Sequence, residues 1–282
     1  MAARSGINAK PSLWVTAIGS IIVVVFFSFP YALMLLSSLK TREEITKIPP
    51  DYLPSIPQFS NYLTVWSSDV VAPAGSLLAT VVISLGATLL VLLIATPAAY
   101  YVARFRFPGR LVFLFLVLIT QMLQPTVLAV GLYQEFSQWR GHLVWGALIL
   151  INGAFNLSFA VWIMQAFFAT VPKEVDEAAL IDGAGRLQAM FLVSLPLVWP
   201  GIVTAIVFVF VNTWNEFAAA FVLVQDTSLQ PLTVSMPRFL GMYVRDWQYL
   251  FMVATVAIVP VVILFALIEK RLVGGLTAGA VK

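Results

Sequence analysis

Polar side chains inside long apolar stretches are the residues of this sequence that could do chemistry. They occur three or four residues apart: Asn212, Asn215 and Glu216; Gln121 and Gln124; and Asn152 and Asn156. At these offsets, side chains share one face of a helix. In lipid, a polar side chain needs a hydrogen-bonding partner or a water-filled cavity. These faces are therefore interpreted either as the lining of a path for a hydroxyl-rich solute or as interhelical hydrogen bonds.

The first group is the stronger candidate for a path. Asn212, Asn215 and Glu216 lie beside the aromatic residues Trp214 and Phe217, and they are predicted to line a translocation path. Gln121 and Gln124 are further candidates for that path. Packing between helices is the favoured interpretation for the two glutamines and for the asparagines at 152 and 156.

Catalytic and metal-binding residues are not indicated. The chain has no cysteine and one histidine, His142, and it carries no G-x-x-x-x-G-K-[ST] phosphate loop. We therefore predict no catalytic residue, no metal site and no cofactor in this chain, and we do not expect it to hydrolyse ATP. The net charge of +3 comes without a basic cluster, so no nucleic-acid partner is predicted.

Composition decides the class of fold. Hydrophobic residues make up 61% of the chain and charged residues only 10%, whereas soluble domains carry about 25% charged residues. The sequence therefore predicts an all-α, polytopic membrane protein, in contact with lipid, with one domain over 13–271 between a short N-terminus, 1–12, and a tail, 272–282. Six spans are predicted, at 13–36, within 70–103, at 111–134, within 143–169, at about 197–224 and at 247–268.

The distribution of basic residues predicts the orientation. With six spans, ten of the sixteen Lys and Arg residues lie on the side that holds both termini. The excess of positive charge places both termini in the cytoplasm, together with the turn after the second span and the segment at 170–196.

The segment at 170–196 is a polar island between two apolar runs. Pro172 suits the first turn of a helix, and the acidic residues Glu174, Asp176 and Glu177 favour its positive end. Gly183 allows a turn, and a second apolar run begins soon after it. The segment therefore predicts a cytoplasmic helix, turn and helix.

The same segment carries a spaced pattern of residues. Glu177-Ala178-Ala179, Gly183, Val193 and Leu195-Pro196 resemble the signature of permease subunits of ABC importers, with valine at 193 in place of isoleucine. Three further stretches resemble the carbohydrate-uptake branch, specifically the maltose-type inner-membrane subunit: Asn61-Tyr62, residues 214–217 and residues 275–282. The resemblance covers nearly the full length.

The resemblance implies a half-channel in a bacterial or archaeal plasma membrane. The implied partners are a second homologous permease subunit, two ABC ATPase subunits, which would bind ATP and Mg²⁺, and an extracytoplasmic solute-binding protein. The implied ATPase-coupling residues are Glu177, Ala178, Ala179, Asp182 and Gly183. Glu177 would pair with a basic residue of the ATPase. The implied tail residues at the ATPase interface are Leu276, Thr277, Gly279 and Lys282.

The alternative is a secondary solute transporter that works without an ATPase. Against it, the six predicted spans show no obvious repeat, and Glu216 alone would be a weak basis for a proton-transfer pathway. An intramembrane enzyme and a structural or receptor-like membrane protein are weaker alternatives. For the transported solute, a disaccharide, an oligosaccharide, an amino sugar and a polyol-phosphate ester all stay open.

Overall fold

The computed structural model describes residues 13–67, 72–122, 127–241 and 246–278, and the regular elements in these ranges are helices. The prediction of an all-α protein is confirmed. The described residues form two compact units, one within 1–65 and 239–255 and the other within 66–238 and 256–282.

Fourteen α-helices are numbered here in chain order. They are α1 Leu13–Ser38, α2 Arg42–Thr46, α3 Ser60–Thr64, α4 Pro73–Arg104, α5 Arg110–Thr120, α6 Ala129–Phe136, α7 Leu143–Thr170, α8 Lys173–Ile181, α9 Arg186–Gln188, α10 Leu195–Leu197, α11 Trp199–Trp214, α12 Ala218–Leu223, α13 Leu232–Ser235 and α14 Trp247–Ala278. A π-helical stretch, Ala189–Ser194, joins α9 to α10.

Four single helices in the described residues are long and apolar enough to cross a membrane: α1, α4, α7 and the Trp247–Glu269 part of α14. A fifth candidate is a bent pair, Arg186–Leu197 with Trp199–Trp214, whose axes differ by 82°. Since a helix rises about 1.5 Å per residue, roughly 20 residues span the apolar core of a bilayer. The described ranges thus give four or five spans where the sequence predicted six.

The predicted third span, 111–134, is not one continuous helix. Helix α5 ends at Thr120, and the next helix, α6, begins at Ala129. The sequence between them contains Pro125, which has no N–H to donate and disfavours helix at the residue before it. Hydrophobicity alone therefore predicts one span at 111–134, whereas Pro125 indicates a break in it.

The predicted fifth span, about 197–224, is also broken. Helix α11 stops at Trp214, residues 215–217 turn, and α12 begins at Ala218. The prediction that Asn212, Asn215 and Glu216 share one helix face is therefore wrong, because the helix ends before two of them. Apolar continuity suggested one helix here, and neither proline nor glycine lies at the break.

Small residues let the central helices of the second unit approach closely. Along α4, the buried face carries Ala79, Ala87, Ala95 and Ala99, all fully buried. A Cβ on Gly201 of α11 would lie 2.4 Å from the ring of Phe167 on α7. Small side chains at such contacts are typical of membrane helix packing. Helices α4, α7 and α11 therefore form a tight core.

That core continues past the ends of the three helices. Its apolar cluster includes Phe168 at the end of α7 and Met190 in the π-helical stretch, both almost fully buried. The segment after α7 is consequently packed against the bundle on one side.

The connection after α1, in the first unit, is held by local hydrogen bonds. Ser38 Oγ and Tyr62 Oη are 2.5 Å apart, and Lys40 Nζ donates to the carbonyl of Asp51 at 2.6 Å. Glu44 and Thr41 form a reciprocal capping box at the start of α2, and Ser55 also donates to the Glu44 carboxylate. These bonds lower the pKa of the Glu44 carboxyl from its ordinary value.

Candidate functional site

The segment at 173–197, called the coupling segment below after its predicted role, folds as two helical arms around a glycine turn. Helix α8 ends in a left-handed residue, Gly183, with φ of +87°. Ala184 N–H donates to the carbonyl of Ala179 at 3.0 Å, and Gly183 N–H donates to Leu180 at 3.1 Å. This pair of bonds is the Schellman ending of a helix, which favours glycine at its left-handed position.

The second arm starts directly after this turn. Gln188 Oε1 accepts a hydrogen bond from Gly185 N–H at 2.8 Å and so caps α9. The arm continues through the π-helical stretch to Leu197. A π-helical turn is rare and occurs often at functional sites.

Helix α8 has one buried face and one exposed face. Asp176 and Ala179 are buried, whereas Glu177 and Ala178 are exposed. The turn residues Asp182 and Gly183 are exposed as well. The predicted coupling residues thus lie on the exposed surface of the segment, except for Ala179.

Large apolar side chains also project from the coupling segment. Ile181 is 86% exposed and Leu187 is 68% exposed. Glu177 and Ile181 are four residues apart and therefore share a helix face. Exposed apolar side chains with polar groups at their edge mark a candidate surface for binding a protein.

A buried ion pair fixes the inner face of α8. Arg104 Nε, at the end of α4, lies 2.5 Å from Asp176 Oδ2, and the two side chains are only 6% and 11% exposed. Arg104 Nη1 also donates to the carbonyl of Val171 at 2.6 Å. Ser194 Oγ donates to Asp176 and accepts from Arg104 Nη2 at 3.4 Å. These bonds join α4, the end of α7 and both arms of the coupling segment.

This ion pair has no clear signature in the sequence. Arg104 was interpreted only as a marker of orientation, and Asp176 only as an acid near a helix start. The available signal is weak: an arginine that ends an apolar helix must keep its charge near that helix, and an acid in the next loop on the same side of the membrane is a natural partner.

An open groove of about 160 Å³ borders the ion pair. Its lining residues are Tyr100, Arg104, Phe105, Lys173, Asp176, Glu177, Leu180 and Arg186. The Arg186 guanidinium lies 5.0 Å from the centre of the Phe105 ring. The groove thus offers apolar and charged groups side by side, with Glu177 at its edge.

The polar residues after α11 have mainly local partners. Glu216 accepts hydrogen bonds from Ala219 N–H at 2.7 Å and Ala220 N–H at 3.2 Å, which caps the start of α12. Asn215 Nδ2 donates to the carbonyl of Val211 at 2.8 Å. Asn212 and Asn215 are exposed, and Glu216 is half-buried.

The segment after α12 is anchored on Glu216 and on α4. Thr233 Oγ1 donates to the carbonyl of Glu216 at 2.7 Å, and Leu232 N–H donates to Thr80 Oγ1 at 2.8 Å. The backbone break at 215–217 and the segment at 231–235 therefore hold each other in place.

The remaining polar candidates are dispersed. Gln121 is exposed, and its amide donates to the carbonyl of Phe155 at 3.2 Å. Gln124 lies outside the described residues. Asn152 and Asn156 are buried on α7 and donate to carbonyls one turn earlier in their own helix. Each of the two amides therefore has a hydrogen-bond partner within α7.

A profile for the family described as "Binding-protein-dependent transport system inner membrane component" matches residues 92–276. The chain belongs to this family. The matched range contains the whole coupling segment, the Arg104–Asp176 ion pair and the break after α11. With its long apolar helices, this family member is a multi-pass membrane protein.

Curated relatives are similar over nearly the whole chain. The sulfoquinovosyl glycerol transport system permease protein SmoH of Agrobacterium fabrum is 32% identical over 98% of this chain and 95% of that protein. The diacetylchitobiose uptake system permease protein NgcG of Streptomyces coelicolor is 34% identical over 92% and 84%. The trehalose/maltose transport system permease protein MalG of Thermococcus litoralis is 30% identical over 94% and 95%. The predicted membership of the carbohydrate-uptake ABC permeases is confirmed.

Solved structures share the fold. A chain of a bacterial ABC transporter involved in the import of the acidic polysaccharide alginate superposes with a TM-score of 0.74, at 21% identity, over 91% of this chain and 95% of that one. A bacterial alginate transporter in complex with an alginate pentasaccharide-bound periplasmic protein gives a TM-score of 0.62 at 18% identity, over 92% and 94%.

The predicted tail site is only partly described. Leu276 and Thr277 belong to α14, and Gly279 and Lys282 lie outside the described residues. The coupling role of all four stays a prediction.

Proposed function

We propose that this chain is one of two related transmembrane subunits of a binding-protein-dependent ABC importer. It forms half of the translocation path for a sugar or sugar-like solute. Two separate ATPase subunits bind ATP and Mg²⁺ and drive transport. An extracytoplasmic solute-binding protein delivers the solute. Both termini and the coupling segment face the cytoplasm, in a bacterial or archaeal plasma membrane.

The observation that carries this proposal is the two-sided build of α8. Its inner face is bonded to α4 through Asp176, while Glu177 and Ile181 stand exposed on the outer side. A helix fastened on one side and exposed on the other suits a docking element that passes motion from a partner to the spans. Glu177 then pairs with a basic residue of the ATPase, and Gly183 shapes the turn.

The transported solute is proposed to be a carbohydrate. The names of three relatives refer to sulfoquinovosyl glycerol, diacetylchitobiose and trehalose or maltose, which are all hydroxyl-rich. Asn212, in the last turn of α11, and Asn215, just after that helix, are exposed and are the candidates to contact such a solute. Glu216 contributes by holding the backbone break beside them. Gln121 is a further candidate.

Copurification tests the assembly. The tagged chain is extracted in mild detergent from its own cells, and the bound proteins are identified. We expect an ATPase, a second permease subunit and a solute-binding protein. Recovery of the chain alone, together with uptake that persists without ATP, would instead support a secondary transporter.

Charge reversal tests the coupling. Glu177→Lys should abolish uptake and weaken recovery of the ATPase, because like charges would meet at the contact. Its matched control is Glu43→Lys, which reverses an exposed acid of α2 and should leave both unchanged. Normal uptake in Glu177→Lys, with normal membrane insertion, would contradict the proposed contact.

A further inference from the structure

Arg104, Asp176 and Ser194 form a buried cluster behind the exposed face of α8. We propose that this cluster is a clamp that makes the coupling segment and the end of α4 move as one body. Its three members are therefore positioning residues for coupling. The proposal rests on the proposed function in one respect, since it takes the motion of α8 to come from a docked ATPase.

The clamp holds three separate pieces of chain. Arg104 reaches Asp176 on α8 at 2.5 Å and the carbonyl of Val171, just after α7, at 2.6 Å. Ser194 bonds to both charged side chains from the π-helical stretch. A displacement of α4 relative to these three pieces would break the bonds of Arg104 to all of them.

An aromatic contact also holds the Arg104 guanidinium in position. The Arg104 guanidinium carbon lies 5.9 Å from the centre of the Tyr100 ring, within the range of a cation–π contact. Tyr100 itself meets Phe168 of α7 edge-on, with ring centres 5.5 Å apart. The arginine is therefore positioned by both α4 and α7.

Burial makes the clamp stiff. Breaking a buried pair of charges leaves each charge unpaired in a poorly solvated place, which is strongly unfavourable. A sliding movement of α8 past α4 would have this cost, whereas a common movement of both helices would not. The ion pair thus favours rigid-body motion without needing to add to net stability.

The neighbouring acids Asp176 and Glu177 divide two tasks. Successive residues of a helix point about 100° apart, so one can face the bundle while the next faces outward. Asp176 is buried and bonded to Arg104, and Glu177 is exposed. A docked ATPase would displace α8 through its contact with Glu177. The ion pair between Asp176 and Arg104 would transmit that displacement to α4.

A distance measurement tests the rigid body. The chain has no cysteine, so Tyr101→Cys on α4 and Glu174→Cys on α8, both exposed, give a clean pair of spin-label sites. In the wild-type background, within the copurified complex, we expect one narrow distance that does not change on addition of ATP and Mg²⁺. A distance that shifts with nucleotide in the wild type would overturn the proposal.

Removing the clamp should loosen this distance. In Arg104→Met with Asp176→Leu no buried charge is left unpaired, so membrane recovery should be close to wild type. The label distance should broaden, and uptake of whichever probe the wild type carries, among maltose, trehalose and diacetylchitobiose, should fall about tenfold. A double variant with the narrow distance and full uptake would show a purely structural ion pair and overturn the proposal.

A milder variant keeps the test decisive if the double variant is not recovered. Ser194→Ala keeps the ion pair and removes only the bridging hydroxyl, so we expect a broader distance with normal recovery; an unchanged distance would count against the clamp. If the wild-type chain recovers no ATPase, the proposed function fails. The label distance in the isolated chain then still reports on the clamp by itself.

Discussion

The coupling segment and the break after α11 are both polar interruptions of apolar sequence, yet their acids are used differently. In the coupling segment, Asp176 is buried against Arg104 and Glu177 is exposed. At the break, both carboxylate oxygens of Glu216 accept hydrogen bonds from the start of α12. The coupling segment therefore exposes the Glu177 carboxylate for a partner, whereas the Glu216 carboxylate at the break is hydrogen-bonded to its own backbone.

This difference shows why a polar residue in an apolar stretch is an ambiguous signal of function. Its meaning depends on whether its hydrogen bonds are satisfied nearby, because a capped or paired group already has a structural role. By that criterion Glu177 is the stronger candidate for binding a partner, and Glu216 is the stronger candidate for shaping the fold. The predictions below test the contrast.

The largest effect is expected where a buried partner is removed. Asp176→Ala leaves the Arg104 guanidinium unpaired and should lower the free energy of unfolding by roughly 3–5 kcal/mol. Glu177→Ala, one residue later but exposed, should change it by less than about 0.5 kcal/mol. Thermal unfolding of the two variants in the same detergent measures the difference. Equal melting temperatures would remove the distinction between the two acids.

A second, smaller effect is expected at the turn of the coupling segment. Gly183 has φ of +87°, so Gly183→Ala should cost roughly 1–2 kcal/mol of local strain. Gly183→Asn should cost less, because asparagine tolerates the left-handed conformation better. ATPase recovery in the pull-down should follow the order glycine, asparagine, alanine. Gly109→Ala, also at positive φ but in the turn before α5, should strain the backbone without affecting that recovery.

Much of the fold was predictable because membrane helices are long apolar runs. The runs that form α1, α4, α7 and α14 are each predicted, with boundaries within a few residues except at the C-terminal end of α14, where the helix continues to residue 278 and the predicted span ends at 268. The third and fifth spans failed for different reasons. Pro125 indicates the first break in the sequence, whereas the break at 215–217 involves a hydrogen bond donated by Asn215 and one accepted by Glu216, which only the folded chain reveals.

The candidate site was partly predictable for a related reason. The fixed spacing of residues from Glu177 to Pro196 made the family signature recognisable, and Gly183 indicated the turn. The clamp was not predictable, because Arg104 and Asp176 are 72 positions apart in the sequence and no local sequence pattern links one residue to the other. A long-range ion pair follows from how α4 and α7 end side by side, and periodicity along one helix does not contain that information.

A third effect is expected at the break itself. Glu216→Ala removes the cap of α12 and should cost about 1 kcal/mol, with some loss of uptake because the backbone beside Asn215 loosens. Glu216→Gln keeps an acceptor and should recover most of the melting temperature and most of the uptake. If Glu216→Gln is stable but inactive, the carboxylate acts on the solute, and the contrast with Glu177 no longer holds.

The smallest effect is expected at Asp226, an exposed acid after α12 that is likewise used on its own backbone. Its carboxylate accepts from Ser228 N–H at 2.9 Å and Ser228 Oγ at 2.7 Å, and these bonds lower its pKa from the ordinary 3.8. Because the folded-state pKa is lower than the unfolded one, the cap stabilises the fold above pH 3.8 and is lost as the pH falls through the folded value. The wild type should therefore melt only slightly above Asp226→Asn at neutral pH, and the two melting temperatures should converge as the pH falls through the folded pKa of Asp226. A clear difference at neutral pH would mean that the charge at Asp226 has a partner beyond its own turn, as proposed for Glu177.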